Sequence, residues 1–256
     1  MREVYISYFS NVIFIVKSGL KMFKDGLKAK LLNLSIDKEE FFKIDELDVV
    51  YLVNSKVACS SIKKRMLQIA GEDVENLSYR DIHNLSVIKG YSVFGSVNNI
   101  RECFTFVRNP YARIVSLYLN KFEDFETIRR KGFEYDNYLG GYFNFDDSFE
   151  EFVEKVCKLE DVVSDRHFKS QYYLIMVDAK SVKTKWSRIE DKAKVSEMLQ
   201  EFGIGEIGNS NKTKDYDYRS FYNRRTYQLV SERYKKDVEF FGYQTEDYEL
   251  KEMVIN

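Results

Sequence analysis

Proline occurs once in the 256 residues, at Pro110, so the chain has no proline-rich spacer to hold two domains apart. Cysteine occurs three times, at Cys59, Cys103 and Cys157. An odd number without metal-ligand spacing argues against a disulfide framework or a zinc site. Cys59 and Cys103 read instead as small buried residues. There are only two histidines, His83 and His167, and no carboxylate cluster spaced to hold a metal. Neither charge sign dominates, with 40 basic against 41 acidic residues; no global field draws the chain to nucleic acid. The uncharged run from Val4 to Val16 is thirteen residues, too short for a membrane span. A buried or interfacial segment is expected, and Lys17, Lys21 and Lys24 just after it make peripheral membrane contact the alternative. No secretory cleavage pattern, repeat or low-complexity tract is visible, and a reducing cytoplasm is the expected compartment.

Apolar residues make up 44% of the chain, and Tyr and Phe together number 39, enough to fill a sizeable core. Residues 1–45, closing on Asp37-Lys38-Glu39-Glu40, read as an N-terminal accessory segment, and 46–256 as one domain. Val49 to Val53 is a continuous apolar run, as a strand covered on both faces requires. A helix from Ser60 or Ser61 carries Ile62, Met66, Leu67 and Ile69 and stops at Gly71. Cys103 to Val107 is a second strand, followed by Asn109 as an N-cap and Pro110 at the first helical position. Ser148 and Glu151 form a capping-box pattern ahead of Phe149, Phe152, Val153 and Val156. Tyr172 to Val177 reads as a strand. Val195, Met198, Leu199 and Phe202 mark a helix ending at Gly203, and Tyr227, Val230, Tyr234, Val238 and Phe241 a last one. Strands alternating with helices predict an α/β fold with a mostly parallel central sheet flanked by helices.

Two segments carry the chemistry. In the first, strand 49–53 opens into Asn54-Ser55-Lys56-Val57-Ala58-Cys59-Ser60-Ser61. It lacks the glycines of a nucleoside-triphosphate loop but keeps that loop's logic, a strand-loop-helix anion site like that of nucleotide kinases. Lys56 supplies a cation, Ala58 and Cys59 let backbone N–H groups approach an oxyanion, and Ser60 and Ser61 stand at a helix start. The plainer alternative makes the serines caps and Lys56 a solvated residue. In the second, Arg108 leaves a buried strand at the end where open α/β sheets bind ligands, and its planar guanidinium suits phosphate. Ser116 lies one to two turns further on, with Arg113 and Asn120 on the same polar side. For Arg113 a structural salt bridge is expected. Two anion sites imply a ligand with phosphates at both ends.

These segments resemble the carbohydrate sulfotransferases of the sulfotransferase family 2 type. Lys56-Val57-Ala58-Cys59-Ser60-Ser61 is similar to their 5′-phosphosulfate loop, with Ser55 where proline is usual. Val107 to Ser116, continuing through Tyr118 to Phe122, is similar to their 3′-phosphate motif, with Asn109 in place of the usual aspartate. Further likeness runs through His167 and Gln171, Ile189-Glu190-Asp191, and Tyr234, Asp237 and Phe241-Gly242-Tyr243. The resemblance implies 3′-phosphoadenosine 5′-phosphosulfate as co-substrate, no metal, and in-line sulfuryl transfer to a carbohydrate hydroxyl. Lys56 would neutralise the leaving phosphate. His83 falls where some relatives carry the base, and its side-chain type suits proton removal near neutral pH; a surface or capping histidine is the alternative. His167 and Gln171 would reach the acceptor sugar or make a core hydrogen bond. Glu190 would stand near the acceptor or serve the structure. Asn209-Ser210-Asn211-Lys212-Thr213-Lys214 is a solvated loop or a cationic lid. Tyr227 belongs to the core, while Tyr216, Tyr218 and Tyr222 are candidates for stacking. Rival readings are a nucleotide-dependent kinase on a related scaffold and a non-catalytic nucleotide- or glycan-binding module.

Overall fold

The computed structural model describes residues 37–95, 102–208 and 216–246. Its sheet is assembled from short strands. β1 (Glu40–Phe42) and β2 (Val50–Leu52) precede helices α1 (Cys59–Ile69) and α2 (Tyr79–Ile88). β3 (Ser92–Phe94) and β4 (Cys103–Val107) follow, then α3 (Pro110–Lys121), α4 (Phe125–Lys131) and α5 (Phe149–Lys158). An α turn, α6 (Gln171–Tyr173), runs into a π turn (Leu174–Asp178). After it come β5 (Thr184–Arg188), α7 (Lys192–Glu201), α8 (Arg224–Arg233) and α9 (Lys235–Phe241). The strand order is β3-β1-β2-β4-β5. β2, β4 and β5 run parallel, while β1 is antiparallel to both its neighbours. The fold is therefore α/β, with a parallel core and an antiparallel edge.

Alternation along the strands explains the layers. Phe42, Tyr51, Phe104 and Phe106 pack with Ile62, Met66 and Leu67 of α1 and Val195, Met198 and Leu199 of α7. Phe41, Leu52, Cys103 and Val107 face the other way, against Leu174, Ile175 and Phe241. A second, aromatic-rich core lies between α3, α5 and α8, where Tyr118, Phe122, Phe143, Phe152 and Tyr227 meet. No helix among the described residues is long and apolar enough to cross a membrane. The run Val4 to Val16 lies outside the described residues, as does Asn209 to Lys214.

Several local expectations match. β4 spans the residues expected, Asn109 caps α3 by accepting from Tyr111 and Ala112 N–H, and the Ser148–Glu151 capping box is formed. Others are corrected. Residues 37–45, assigned above to an accessory segment, contain β1, and this strand joins the sheet. Helix α1 starts at Cys59 with Ala58 as N-cap and no side-chain cap, so Ser60 and Ser61 are not caps but lie in its first turn. Tyr172 to Val177 is helical rather than a strand. Ser170 caps this turn, and the buried Asp237 carboxylate accepts the N–H groups of Gln171 (3.0 Å) and Tyr172 (2.8 Å). Short apolar runs do not distinguish strand from helix, and here the carboxylate decides. The last helix breaks at Tyr234 into α8 and α9, which brings Asp237 under α6.

Replacing Asp237 with alanine strands two buried N–H donors, and the expected loss is about 3 kcal/mol of unfolding free energy, read from urea denaturation. Asp237→Asn, which keeps an acceptor oxygen, should lose distinctly less.

Candidate active site

The C-terminal ends of β2, β4 and β5 open on a single cleft of about 1980 Å³. The loop after β2 forms its floor. Lys56 and Ala58 both have left-handed backbone, with φ of 67° and 54°. For residues with a Cβ this conformation costs on the order of 1 kcal/mol each and concentrates at functional sites. Here it is reached without any glycine. No side chain caps α1, and an uncapped helix N-terminus suits an anion.

Lys56 donates from Nζ to Asn120 Oδ1 on α3 (3.0 Å). Burial strips water from its ammonium, and the charges of Lys121 and Arg108 add repulsion. Its pKa falls to about 7, although Cys59 pulls the other way. Burial alone would raise the Cys59 thiol. The hydrogen bond with His83 and the positive charges of Lys63 and Lys56 outweigh it, bringing the pKa down to about 6. Cys103 and Cys157 are pushed up by burial, to about 11 and about 12.

Arg108 lies beside this loop, and its Nη1 donates to Lys56 O (3.2 Å). Its main chain is clamped by Gln171, whose Oε1 accepts Arg108 N–H (2.9 Å) and whose Nε2 donates to Arg108 O (2.8 Å). The same Oε1 accepts from Asn54 Nδ2 (3.0 Å), which also donates to Phe106 O (2.9 Å). Gln171 is fully buried and does not line the cleft. Of its two expected roles, acceptor contact or core hydrogen bond, it makes the second, as a brace between two strand ends. Ser116 is nearly buried on α3 and lines the cleft with Arg108.

Arg113 is structural, as expected, but its hydrogen bonds go to carbonyls rather than to a carboxylate. Its guanidinium donates to Ser55 O (3.0 Å), Lys169 O (2.8 Å) and Arg166 O (2.9 Å). Glu190, just beyond β5, accepts Asn109 N–H (2.7 Å) and the Tyr243 hydroxyl (3.0 Å); it ties the cleft wall together. Asn109 Nδ2 donates to Glu246 Oε1 (2.9 Å). An aspartate there would meet a like charge, which accounts for asparagine at this position. Tyr216 and Tyr218 line the cleft, whereas Tyr222 and Tyr227 are buried in the aromatic core.

His83 lines the cleft, where a base was one of its two expected roles, and both its ring nitrogens are bonded to protein groups. Nε2 lies 3.0 Å from Ser60 Oγ and Nδ1 lies 3.2 Å from Lys63 Nζ. Lys63 is buried and ion-paired with Glu40. An ammonium only donates, so Nδ1 accepts and the neutral ring carries its proton on Nε2. His83 thus donates to the anion loop. Lys63 was missed in the sequence, where its signal was a lysine on the Met66 and Leu67 face of α1. His167 lines the cleft, with Nδ1 2.6 Å from Asp165 Oδ1. Burial would raise the Asp165 carboxyl, but the His167 contacts and the Arg166 charge hold it well below its ordinary range. Asp165 had no distinguishing signal in the sequence.

Fold and cleft together define an α/β protein with Lys56 and Arg108 facing one cleft beyond its parallel strands. Residues 39–244 match the sulfotransferase family, and the chain belongs to that family; sulfuryl transfer is the activity this membership supports. No curated protein and no solved structure matches the chain.

Lys56 generates a pH-linked prediction. At pH 8 a lysine with a pKa of about 7 is mostly neutral, and a bound phosphate favours its charged form. Binding of 3′,5′-ADP at pH 8 should therefore take up close to one proton, measured by calorimetry in buffers of different ionisation enthalpy. Lys56→Met should remove the lysine's share, and Cys59→Ser shows whatever the thiolate adds.

Proposed function

We propose that this sulfotransferase moves the sulfuryl group of 3′-phosphoadenosine 5′-phosphosulfate to a carbohydrate hydroxyl by in-line displacement at sulfur. The observation that carries this reading is the direct tie between two cationic anchors, Arg108 Nη1 to Lys56 O (3.2 Å), at the ends of adjacent parallel strands. A donor with phosphate at each end matches that pair. Lys56, the N–H groups of Ala58 and Cys59, and the hydroxyls of Ser60 and Ser61 take the 5′-phosphosulfate. Arg108 and Ser116 take the 3′-phosphate, the guanidinium in bidentate fashion.

Lys56 has a second task. As the bond between sulfur and the bridging oxygen breaks, negative charge develops on the 5′-phosphate, and a preorganised cation stabilises it there more than in the ground state. A carbohydrate acceptor is supported by the exposed rings of Tyr79 and Phe94 along the cleft, which offer flat apolar faces to sugar rings and leave the hydroxyls free.

A thermal-shift panel tests the donor. 3′,5′-ADP should raise the melting temperature, and ATP with magnesium should not match it. Stabilisation by ATP with magnesium alone would point to a kinase, and by glycan alone to a non-catalytic module. Arg108→Ala should weaken 3′,5′-ADP binding by about 2–4 kcal/mol and Ser116→Ala by about 1 kcal/mol, measured by calorimetry. Wild-type affinity in Arg108→Ala would reject the two-ended donor site.

A further inference from the structure

The two histidines are held in opposite proton states by the groups behind them. His83 has Nδ1 occupied by a donor, Lys63, and its Nε2–H is directed at Ser60. His167 has Nδ1 against an acceptor. Asp165 Oδ1, 2.6 Å away, also accepts His167 N–H (2.9 Å) and the Tyr135 hydroxyl (3.3 Å). The Tyr135 hydroxyl also lies 3.2 Å from Nδ1, but a carboxylate 2.6 Å from a ring nitrogen can only accept from it, so Nδ1 carries a proton and, in the neutral ring, Nε2 keeps its lone pair. Neither Asp165 nor Tyr135 lines the cleft, whereas His167 does. With Nδ1 bound behind, Nε2 is the polar edge that the ring has left for the cleft, and no described residue hydrogen-bonds it.

The ring is also tied to the anion loop. Arg113 donates to Ser55 O and, through its other end, to Arg166 O. One guanidinium thus separates the residue before Lys56 from the residue before His167. Glu40 adds a second link, since it pairs with Lys63 beneath the loop and with Arg166.

We propose that His167 is the general base of the transfer and that Asp165 is its positioning residue. This assignment rests on the sulfuryl-transfer reading given above. The acceptor oxygen forms its bond to sulfur as the bond between sulfur and the 5′-phosphate oxygen breaks. The hydroxyl proton passes to His167 Nε2, and the electron pair of the broken bond leaves on 3′,5′-ADP beside Lys56. Asp165 holds the productive tautomer and stabilises the imidazolium, which then returns its proton to solvent. The charges around the ring are Asp165 and Arg166 of its own segment. Arg166 is itself paired with Asp37 and Glu40, and Glu134, beside Tyr135, is paired with Lys121.

With only two histidines in the chain, the tautomers can be read directly. Two-bond proton–nitrogen correlation spectra at pH 8 should show the proton on Nδ1 of His167 and on Nε2 of His83. His83→Ala and His167→Ala assign the signals. Kinetics with radiolabelled donor and a panel of desulfated glycosaminoglycans give the second readout. His167→Ala should lower kcat by about 100-fold or more while 3′,5′-ADP affinity stays within about twofold, which also shows that the variant is folded. Asp165→Asn should lower kcat by about tenfold or more and move the acid limb of the kcat/KM profile to lower pH, because a carboxylate no longer favours the imidazolium. His83→Ala should instead loosen 3′,5′-ADP, as Ser60 loses its partner. A His167 proton on Nε2, or a His167→Ala kcat within about threefold of wild type, overturns the assignment. A wild type that does not bind 3′,5′-ADP overturns the donor reading instead, and the tautomer spectra still decide the state of His167.

Discussion

The site depends on the Arg113 side chain, which is 1% exposed and donates to the carbonyls of Ser55, Lys169 and Arg166. An unpaired buried charge is costly, and burial does draw this guanidinium's pKa down. Three charge-assisted hydrogen bonds offset that cost. In return, one rigid planar group fixes the start of the anion loop against the segment that carries His167. A lysine could not take its place, because a single ammonium lacks the fork that spans three carbonyls. α3 thereby sets the spacing between what would bind the donor and what would meet the acceptor.

Gln171 does the same for the strand ends. By bonding both main-chain groups of Arg108 and also Asn54, it keeps the ends of β2 and β4 in register where the parallel ladder stops. Asp237 holds Gln171 in turn. The cost is a carboxylate in a fully buried position, where desolvation raises its pKa, offset by donors on neighbouring backbone. The residues that would touch ligand are thus few, and a larger buried polar set orients them.

How far the sequence disclosed this arrangement follows from what pattern and spacing can encode. β4 and the start of α3 were legible because both signals are local: an apolar run, then Asn-Pro at a helix start. β1 was hidden, since Glu40 looks like a solvated charge until Lys63 and Arg166 are seen to neutralise it. β5 was missed because Lys185 and Arg188 interrupt its alternation on an edge strand. Tyr172 to Val177 was misread because the carboxylate that makes it helical lies more than sixty residues away, at Asp237. That Lys56 and Arg108 meet at one cleft was legible from residue type at two strand ends. Which ring nitrogen of each histidine is bound, and by what, was not, because the partners are distant in the chain.

That last distinction has a chemical consequence. On the proposed reading, the cleft needs hydrogen-bond donors at its anion loop and a lone pair facing the acceptor. With two imidazoles of the same intrinsic chemistry, the choice falls to the group behind each ring. Lys63, a cation held by Glu40, commits His83 to donation at Ser60. Asp165, bonded to Nδ1, would leave Nε2 of His167 to accept. Glu40 serves both sides, because it neutralises Lys63 on one flank and Arg166 on the other. A charge on β1, the strand least legible in the sequence, therefore supports the opposite proton states of two rings in one cleft.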